Sequence, residues 1–182
     1  LSGASEDKLG AYKVLVNGFE YRLSRVDKAN NIVYFSTDGF SSYVLMAYEK
    51  TFADLVGHWA RADIELMAAK HIARGVSDDQ FMPDRTITRA EFATMLQRVL
   101  GLPLATAGSA TFSDVGSGDW YFASVEAAAK AGLVNGYGDG SFKPLAPISR
   151  QEMAALVTRA MKIAGRSTAI SAEEASSILA RF

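Results

Sequence analysis

The 182-residue sequence contains no cysteine and only two histidines, His58 and His71. The absence of cysteine excludes disulfide bonds, thiolate metal sites and a cysteine nucleophile. Two histidines argue against a histidine-rich metal site, and we expect both to be ordinary, partly exposed side chains. An excess of positive charge is also lacking, because 19 basic residues face 20 acidic ones for a net charge of −1. This balance argues against a nucleic-acid-binding surface, which depends on basic residues.

Long apolar runs and a leader sequence are lacking as well. No stretch approaches the roughly 20 continuous apolar residues that span a bilayer. The first residues, LSGASEDKLG, do not combine a basic region with an apolar run, so they do not resemble a signal peptide. The sequence starts without methionine and ends on Phe182 within a helical pattern, from which we expect a fragment of a longer protein. With 49% apolar residues, a sizeable core is expected.

The segment from about residue 11 to residue 48 predicts β-strands. AYKVLV, FEYRLS, NIVYFS and SYVLMAY are rich in β-branched and aromatic residues with partial alternation. Asn17-Gly18 between the first two runs predicts a hairpin, and residues 27–31 and 38–39 supply further turns. We expect residues 1–50 to form an antiparallel meander, the tail of a larger β domain. Four short strands are marginal alone, so they should pack against another part of the protein.

An internal repeat begins at residue 51. TFADL at 51–55 matches TFSDV at 111–115, and Trp59 corresponds to Trp120. The sequence ARGVSDDQFMPDRTITRAEF from residue 73 aligns with VNGYGDGSFKPLAPISRQEM from residue 134 without gaps. Agreement at so many special positions predicts two copies of one structural unit.

Each copy predicts two helices joined by a loop. Apolar residues at i, i+4 and i+8 indicate the first helix, which we expect to end in a left-handed residue at Gly75 or Gly136. In the loop, a phenylalanine should anchor the chain to the core, and a proline prevents the first helix from continuing. The apolar positions are Ile64, Ala68 and Ile72, then Val125, Ala129 and Leu133; the loop pairs are Phe81 with Pro83 and Phe142 with Pro144.

The second helix of each copy begins with a capping box. Its hydroxyl accepts from the amide three residues on, while its glutamate reaches back to the cap amide, which contributes about 1 kcal/mol. A third such pattern predicts one more helix near the C-terminus. The pairs are Thr88 with Glu91, Ser149 with Glu152, and Ser171 with Glu174; the apolar stripes behind them are Phe92, Met95, Leu96 and Val99, then Met153, Leu156, Val157 and Ala160, then Ala175, Ile178, Leu179 and Phe182.

An arginine stands between the hydroxyl and the glutamate in both ITRAEF and ISRQEM, as Arg89 and Arg150. It has no part in the cap, and a cation is unfavourable beside the positive end of the helix dipole. This mismatch with local helix physics marks the position as a candidate ligand site. The alternative is that each arginine forms a salt bridge with a neighbouring carboxylate.

These features together resemble the S-layer homology module of bacterial surface proteins. The resemblance covers about residues 51–165. It implies an α+β chain: a β segment at 1–50, repeats at 51–105 and 110–165, and a linker helix at 166–182 leading into a truncated third repeat. Three repeats of this family pack as a pseudo-threefold prism around a central helix bundle. The motifs that carry it are Phe52-x-Asp54 and Phe112-x-Asp114, the tryptophan before the first helix, the Gly-x-x-Asp-Gly-x-Phe-x-Pro loop complete at 136–144, and the Thr/Ser-Arg-x-Glu cap.

The resemblance implies a non-enzymatic, extracellular role as a non-covalent cell-wall anchor. Grooves between neighbouring repeats would bind a secondary cell-wall polysaccharide linked to peptidoglycan, commonly one with pyruvylated amino sugar. It implies no cofactor, no metal and no nucleic-acid partner. With the third repeat missing, a partner chain, a swapped segment or the rest of the native polypeptide would have to complete the prism.

The ligand residues follow from the resemblance. Arginine donates in a bidentate manner to a carboxylate, beside the amides at a helix N-terminus, and an indole can stack on a sugar ring. We expect Arg89 and Arg150 to hold the carboxylate, Trp59 and Trp120 to form groove walls, Gly75 and Gly136 to allow close approach, Lys143 to add charge, and Asp54 and Asp114 to lie at the site. As alternatives, the tryptophans are core anchors, the aspartates cap a helix or a turn, and the glycines serve the backbone conformation.

The two copies differ in the loop, where Val76-Ser77-Asp78-Asp79 stands opposite Tyr137-Gly138-Asp139-Gly140. Loss of the second glycine would reshape one groove. Rival functions are contacts in S-layer assembly and calcium-dependent docking. The second loop supplies only Asp139 locally, whereas a calcium loop needs acidic ligands at alternating positions. No nucleophile–base pattern or phosphate loop indicates an enzyme.

Overall fold

A computed structural model of the chain describes residues 6–37, 39–106 and 110–166. These residues form antiparallel strands followed by four α-helices, so the predicted α+β class is confirmed. The chain divides into two compact units, Leu1–Thr86 and Ile87–Phe182. The division lies inside the first repeat, after its loop and before its second helix. The predicted helix at Ser171 and Glu174 and the start of a third repeat lie outside the described residues.

The strands of the first unit form two small sheets. The three-stranded sheet has the order β2-β1-β5, and β3 pairs with β4. The simple meander is therefore wrong, because β5 pairs with β1, placing Val44 opposite Tyr12. This pairing satisfies the backbone groups of β1 along both of its edges. The strands are β1 (Leu9–Leu15), β2 (Gly18–Arg22), β3 (Ser24–Asp27), β4 (Ile32–Phe35) and β5 (Tyr43–Ala47).

The predicted hairpin joins β1 and β2. Leu15 pairs with Gly18, so Val16 and Asn17 form the two-residue turn and Gly18 already belongs to β2. The hairpin is thus confirmed, with its turn one residue earlier than the Asn17-Gly18 dipeptide suggests.

The strands pack against the first repeat, as expected for a β segment too small to be stable alone. Lys70 donates through Nζ to the carbonyl oxygen of Leu9. The Tyr12 hydroxyl lies 3.1 Å from Nε2 of His71. Tyr12 is buried, and this burial raises the pKa of its hydroxyl to about 12. The β segment and the first half of the first repeat therefore share one unit.

The first helix of each repeat ends earlier than the sequence indicates. Helix α1 (Arg61–Ala69) is followed by His71 with a φ of 56°, and α3 (Phe122–Lys130) by Gly132 with a φ of 70°. These left-handed residues lie four positions before Gly75 and Gly136, so the expectation that those glycines end the helices is wrong. The amide after each left-handed residue donates to a carbonyl five residues back, Ile72 to Met67 and Leu133 to Ala128, which is a Schellman-type end.

The core of the second unit is built by α2 (Arg89–Leu100), α3 and α4 (Arg150–Ile163). The most deeply buried positions of α2 are Ala90 and Ala93, whereas the predicted Phe92 and Leu96 are only partly buried and Val99 is exposed. Small side chains let a neighbouring helix approach closely. The buried face of α2 is therefore the one that carries Ala90 and Ala93, and not the one with the larger apolar residues. On α4, Leu156 and Ala160 are buried as predicted, but Val157 is exposed.

Across the described ranges, none of the helices combines the length and apolar character needed to cross a membrane.

Candidate functional site

An aspartate braces the interhelical loop of each repeat. Asp114 accepts from the amides of Phe142 at 2.7 Å and Lys143 at 2.8 Å. In the first repeat, Asp54 accepts from the amides of Phe81 at 3.0 Å and Met82 at 2.6 Å. The hydrogen bond from Phe81 is the main cause that lowers the pKa of Asp54. Both aspartates therefore stabilise a turn, in agreement with the alternative that they cap local backbone.

These hydrogen bonds hold strained backbone in place. Met82 and Lys143, at matching positions, have φ values of 60° and 55°, in the left-handed region that side chains disfavour. The loop is anchored by the preceding phenylalanine, as predicted. Phe142 is buried and stacks on Phe112 at 5.2 Å between ring centroids, and Phe81 packs on Phe52 at 5.4 Å.

Gly75 and Gly136 are required by packing within their own repeats. A Cβ at Gly75 would lie 2.5 Å from the Phe52 ring and 2.5 Å from the carbonyl oxygen of Gln80. At Gly136 it would lie 2.7 Å from both the Phe112 ring and the carbonyl oxygen of Ser141. The close approach that these glycines allow is therefore made by the protein's own core.

Arg89 is buried, with 6% of its surface exposed. Its Nε donates to the carbonyl oxygen of Phe142 at 2.8 Å, and its Nη1 donates to Glu152 at 2.6 Å. The guanidinium also lies 4.8 Å from the ring centroids of Tyr137 and Phe142. The salt-bridge alternative thus describes Arg89. This side chain joins the second helix of the first repeat to the loop and cap of the second.

Arg150 occupies the same place in α4 but has a different environment. Its side chain is exposed, and within the described part of the chain it forms no hydrogen bond or salt bridge. The same cap motif therefore holds one paired, buried guanidinium in the first repeat and one open to solvent in the second. A cation held open at a helix N-terminus is available for an anionic ligand.

The two tryptophans are exposed at matching positions. Trp59 is 89% exposed and Trp120 is 62% exposed. Trp59 stacks on the neighbouring His58, and Trp120 contacts Tyr121 edge to face. The alternative that they anchor the core is wrong for both indoles. Exposed aromatic rings at equivalent places in two repeats offer surfaces on which a ligand can stack.

Tyr137 also lies at this site, although no motif in the sequence marks it. Its hydroxyl donates to Glu152 at 2.7 Å, and Lys143 Nζ lies 4.3 Å from its ring centroid. The hydrogen bond to Glu152 raises the pKa of Tyr137. In the sequence, Tyr137 is distinguished only as an aromatic residue after Gly136, where the first copy has Val76. Lys143 is exposed and adds positive charge at this loop.

Both predicted capping boxes are present. Thr88 accepts from the amide of Glu91 at 3.2 Å, and Ser149 accepts from the amide of Glu152 at 3.3 Å. Each glutamate accepts in return from the cap amide, at 2.8 Å and 2.9 Å. The hydrogen bond from the Ser149 amide is the largest of several contacts that lower the pKa of Glu152 to about 2. Glu152 therefore accepts hydrogen bonds from the cap amide, from the Tyr137 hydroxyl and from Arg89.

The depressed pKa of Glu152 predicts loss of stability in acid. Its folded-state pKa of about 2 lies below the ordinary value of 4.5, so its stabilisation is complete above pH 4.5 and is lost as pH falls towards 2. Because 28% of the side chain is exposed, we expect a loss of about 1–2 kcal/mol. Thermal melts from pH 6 to pH 2 would measure it, and Glu152→Gln should flatten the dependence. An unchanged slope in that variant would contradict the assignment.

Asp139, the acidic residue considered for calcium binding, forms hydrogen bonds within its own turn. Asp139 accepts from the amide of Ser141 at 3.0 Å and from its hydroxyl at 2.7 Å. Across residues 6–37, 39–106 and 110–166, no group of three or more acidic or histidine side chains is placed to hold a metal ion.

Two helix–loop–helix repeats, each with an exposed tryptophan at the same position, define a repeat-based α-helical module. The family model described as S-layer homology domain matches residues 51–93 and 111–154, and the chain belongs to this family. At the family level, such domains are binding modules that anchor proteins to the cell wall at the bacterial surface.

Similar proteins include both enzymes and anchoring proteins. An amylopullulanase of Thermoanaerobacterium thermosulfurigenes is 41% identical over 84% of this chain and 8% of its own length. The S-layer protein sap of Bacillus anthracis is 36% identical over 63% of the chain and 14% of its length. A cellulosome-anchoring protein of Acetivibrio thermocellus is 35% identical over 62% of the chain and 26% of its length. The chain thus corresponds to a small part of each of these proteins.

Proposed function

We propose that this chain attaches a larger surface protein non-covalently to the cell wall by binding an acidic secondary cell-wall polysaccharide. The observation that carries the proposal is the pair of exposed indoles, Trp59 and Trp120, which stand at the same place in both repeats and have no core role. Aromatic rings of this kind provide flat apolar surfaces with one polar edge, suited to the apolar face of a sugar ring.

Arg150 is the proposed contact for an acidic group on the polymer, with a pyruvylated amino sugar as the expected unit. A pyruvate ketal is a carboxylate held on a sugar, and the planar guanidinium can donate two parallel hydrogen bonds to it. Lys143 is exposed and would add charge at the loop.

Arg89 is also proposed to reach the ligand, but in a different way. Phe142 and Glu152 engage two of its three nitrogens, which leaves the third for an acidic group. Gly75, Gly136, Asp54 and Asp114 would contribute by holding the loops in shape rather than by touching sugar. The loops would shape the binding surfaces, and the arginines and tryptophans would contact the polymer.

The segment is proposed to supply attachment and no catalytic step. The relatives named as enzymes are far longer than the matched region, which covers 8% of the amylopullulanase. Their reactions can therefore reside in parts that this chain does not include. A partner chain or further repeat would complete the three-repeat prism.

The test is a binding assay on purified sacculi with and without their secondary polymer. We expect binding only to intact walls, and Arg150→Ala or Trp120→Ala should weaken it about tenfold, which equals 1.4 kcal/mol. Arg150→Lys should recover only part, because an ammonium lacks the planar fork. Lys162→Ala removes an exposed cation from the same helix and is the matched control. Equal binding to stripped and intact walls would refute the proposal.

A second function is favoured by the exposed apolar surface of the β segment. Val16 is 99% exposed, and Phe19 and Phe40 are also exposed. Where such side chains form a contiguous patch, they mark a protein–protein contact, as in assembly of a surface layer. Sedimentation of the protein without polymer distinguishes the two functions, because assembly predicts association that grows with concentration and falls in Phe19→Ser.

A further inference from the structure

The first unit contains a cleft of about 600 Å³ where β5, the end of α1 and the following loop meet. Its volume is in the range of small-molecule sites. The lining residues that carry the argument are Tyr48, Lys50, His71, Arg74, Ser77 and Asp78. Tyr48 and Lys50 precede the first family match, which begins at residue 51. The cleft is thus built by the β segment and the first repeat together.

His71 occupies a backbone position that the second repeat gives to glycine. Its φ is 56°, and Gly132 at the matching position has a φ of 70°. Side chains disfavour this region, and such strain persists only where surrounding contacts fix it. His71 has those contacts, because its ring lies 4.7 Å from Tyr48 and 5.0 Å from Tyr21, and its Nε2 lies 3.1 Å from the Tyr12 hydroxyl.

His71 and the three tyrosines that its ring contacts form an aromatic cluster in the first unit. Tyr12 is buried behind His71, while Tyr48 is exposed at the cleft. The Tyr48 and His71 rings are inclined by only 31°, so the histidine supports one face of Tyr48. The tyrosine is held in place while part of its ring remains open to a ligand.

The cleft also carries more positive than negative charge. Lys50 donates through Nζ to the carbonyl oxygen of Asp78 at 2.6 Å, and an ammonium has two further donors. The Arg74 side chain is exposed, and in the part of the chain that the structure describes it has no hydrogen bond or salt bridge. Against these two cations the lining offers one carboxylate, Asp78. An anionic group is therefore favoured.

We propose that this cleft is a separate binding site for an acid-bearing sugar unit. The sugar ring stacks on Tyr48, and its carboxylate accepts hydrogen bonds from Arg74 and Lys50. His71 is a positioning residue that holds Tyr48. The carbohydrate class rests on the proposed function, but all of these residues lie in the first unit and none is among the tryptophans or cap arginines.

The test titrates the whole chain with a hyaluronan tetrasaccharide, which carries carboxylates, and with tetra-N-acetylchitotetraose, a neutral amino-sugar control. We expect the acidic probe to shift the ring NMR signals of Tyr48 and His71 and to bind about tenfold more tightly than the neutral one. Tyr48→Ala and Arg74→Ala should each lower its affinity about tenfold, and Lys162→Ala should not. Equal affinity for the two probes, or full affinity in Arg74→Ala, would overturn the proposal.

His71→Gly tests the positioning role. Glycine suits the left-handed backbone, so the variant should remain folded by circular dichroism yet lose affinity for the acidic probe. His71→Asn, which also tolerates this backbone but lacks an aromatic ring, should behave in the same way. Retained affinity in both variants would exclude His71 from the site.

The wall-attachment proposal and the cleft proposal can be refuted independently of each other. If Arg150→Ala weakens attachment to sacculi but leaves the tetrasaccharide affinity unchanged, both proposals stand. If the acidic probe binds through Arg150 and not Arg74, the cleft proposal is overturned. If the probe binds at Tyr48 while the protein attaches equally to stripped walls, the wall-polymer function is overturned and the cleft remains.

Discussion

Arg89→Ala is expected to destabilise the second unit by about 2–3 kcal/mol, because it removes charge-assisted hydrogen bonds of a buried guanidinium whose carboxylate partner is 28% exposed. The change leaves Glu152 without its cation and the carbonyl oxygen of Phe142 without its donor. It also removes the guanidinium that lies against the Tyr137 and Phe142 rings. Urea unfolding followed by circular dichroism would measure the loss.

Arg150→Ala is the matched control, because it changes the same motif position at a site open to solvent. We expect a change within about 0.5 kcal/mol, as for ordinary surface substitutions. In the double variant Arg89→Met with Glu152→Gln, part of the lost stability should return, because neither group is then an unpaired charge. Equal destabilisation by the two alanine variants would show that Arg89 is not the link between the repeats.

Gly136→Ala is expected to destabilise the second unit by about 2–3 kcal/mol, near the upper end for overpacking a core. The added Cβ would lie 2.7 Å from the Phe112 ring and 2.7 Å from the carbonyl oxygen of Ser141. Neither can move freely, because Phe112 is buried and stacks on Phe142, and the carbonyl belongs to the braced loop. Thermal melting compared with the unchanged protein would show the effect.

Gly138→Ala, two residues further on, provides the control. A Cβ at Gly138 meets no atom within 4 Å, and its φ lies outside the left-handed region. We expect this variant to change stability by no more than about 0.5 kcal/mol. If both alanines are tolerated equally, the glycine at 136 serves a ligand rather than the core.

Much of the local structure follows from the sequence because its causes are local. The capping boxes at Thr88 and Ser149 need only residues three positions apart. The internal repeat locates the helices and the loop phenylalanines, and the Pro-containing loops separate the helices. The α+β class follows from a change of pattern near residue 50. These features depend on backbone hydrogen bonds and periodicity, which neighbouring residues determine.

The candidate site was only partly predictable. The sequence indicates Trp59 and Trp120 and the cap arginines, but not which of these side chains face solvent. It does not reveal the contact of Tyr137 with Glu152 or the role of His71, because these contacts join residues far apart in the chain. The strain at His71 becomes visible only when its backbone is compared with that of Gly132.

By itself, then, the sequence determined the repeats, the helix starts and the positions of the loops. Tertiary structure alone decided that Arg89 is paired and buried while Arg150 is open, although both follow the same cap. It also decided that β5 pairs with β1 and that Ala90 and Ala93, not the larger residues, face the core. The physical reason is that burial and pairing depend on what packs against a side chain, and the same cap motif meets different neighbours in the two repeats.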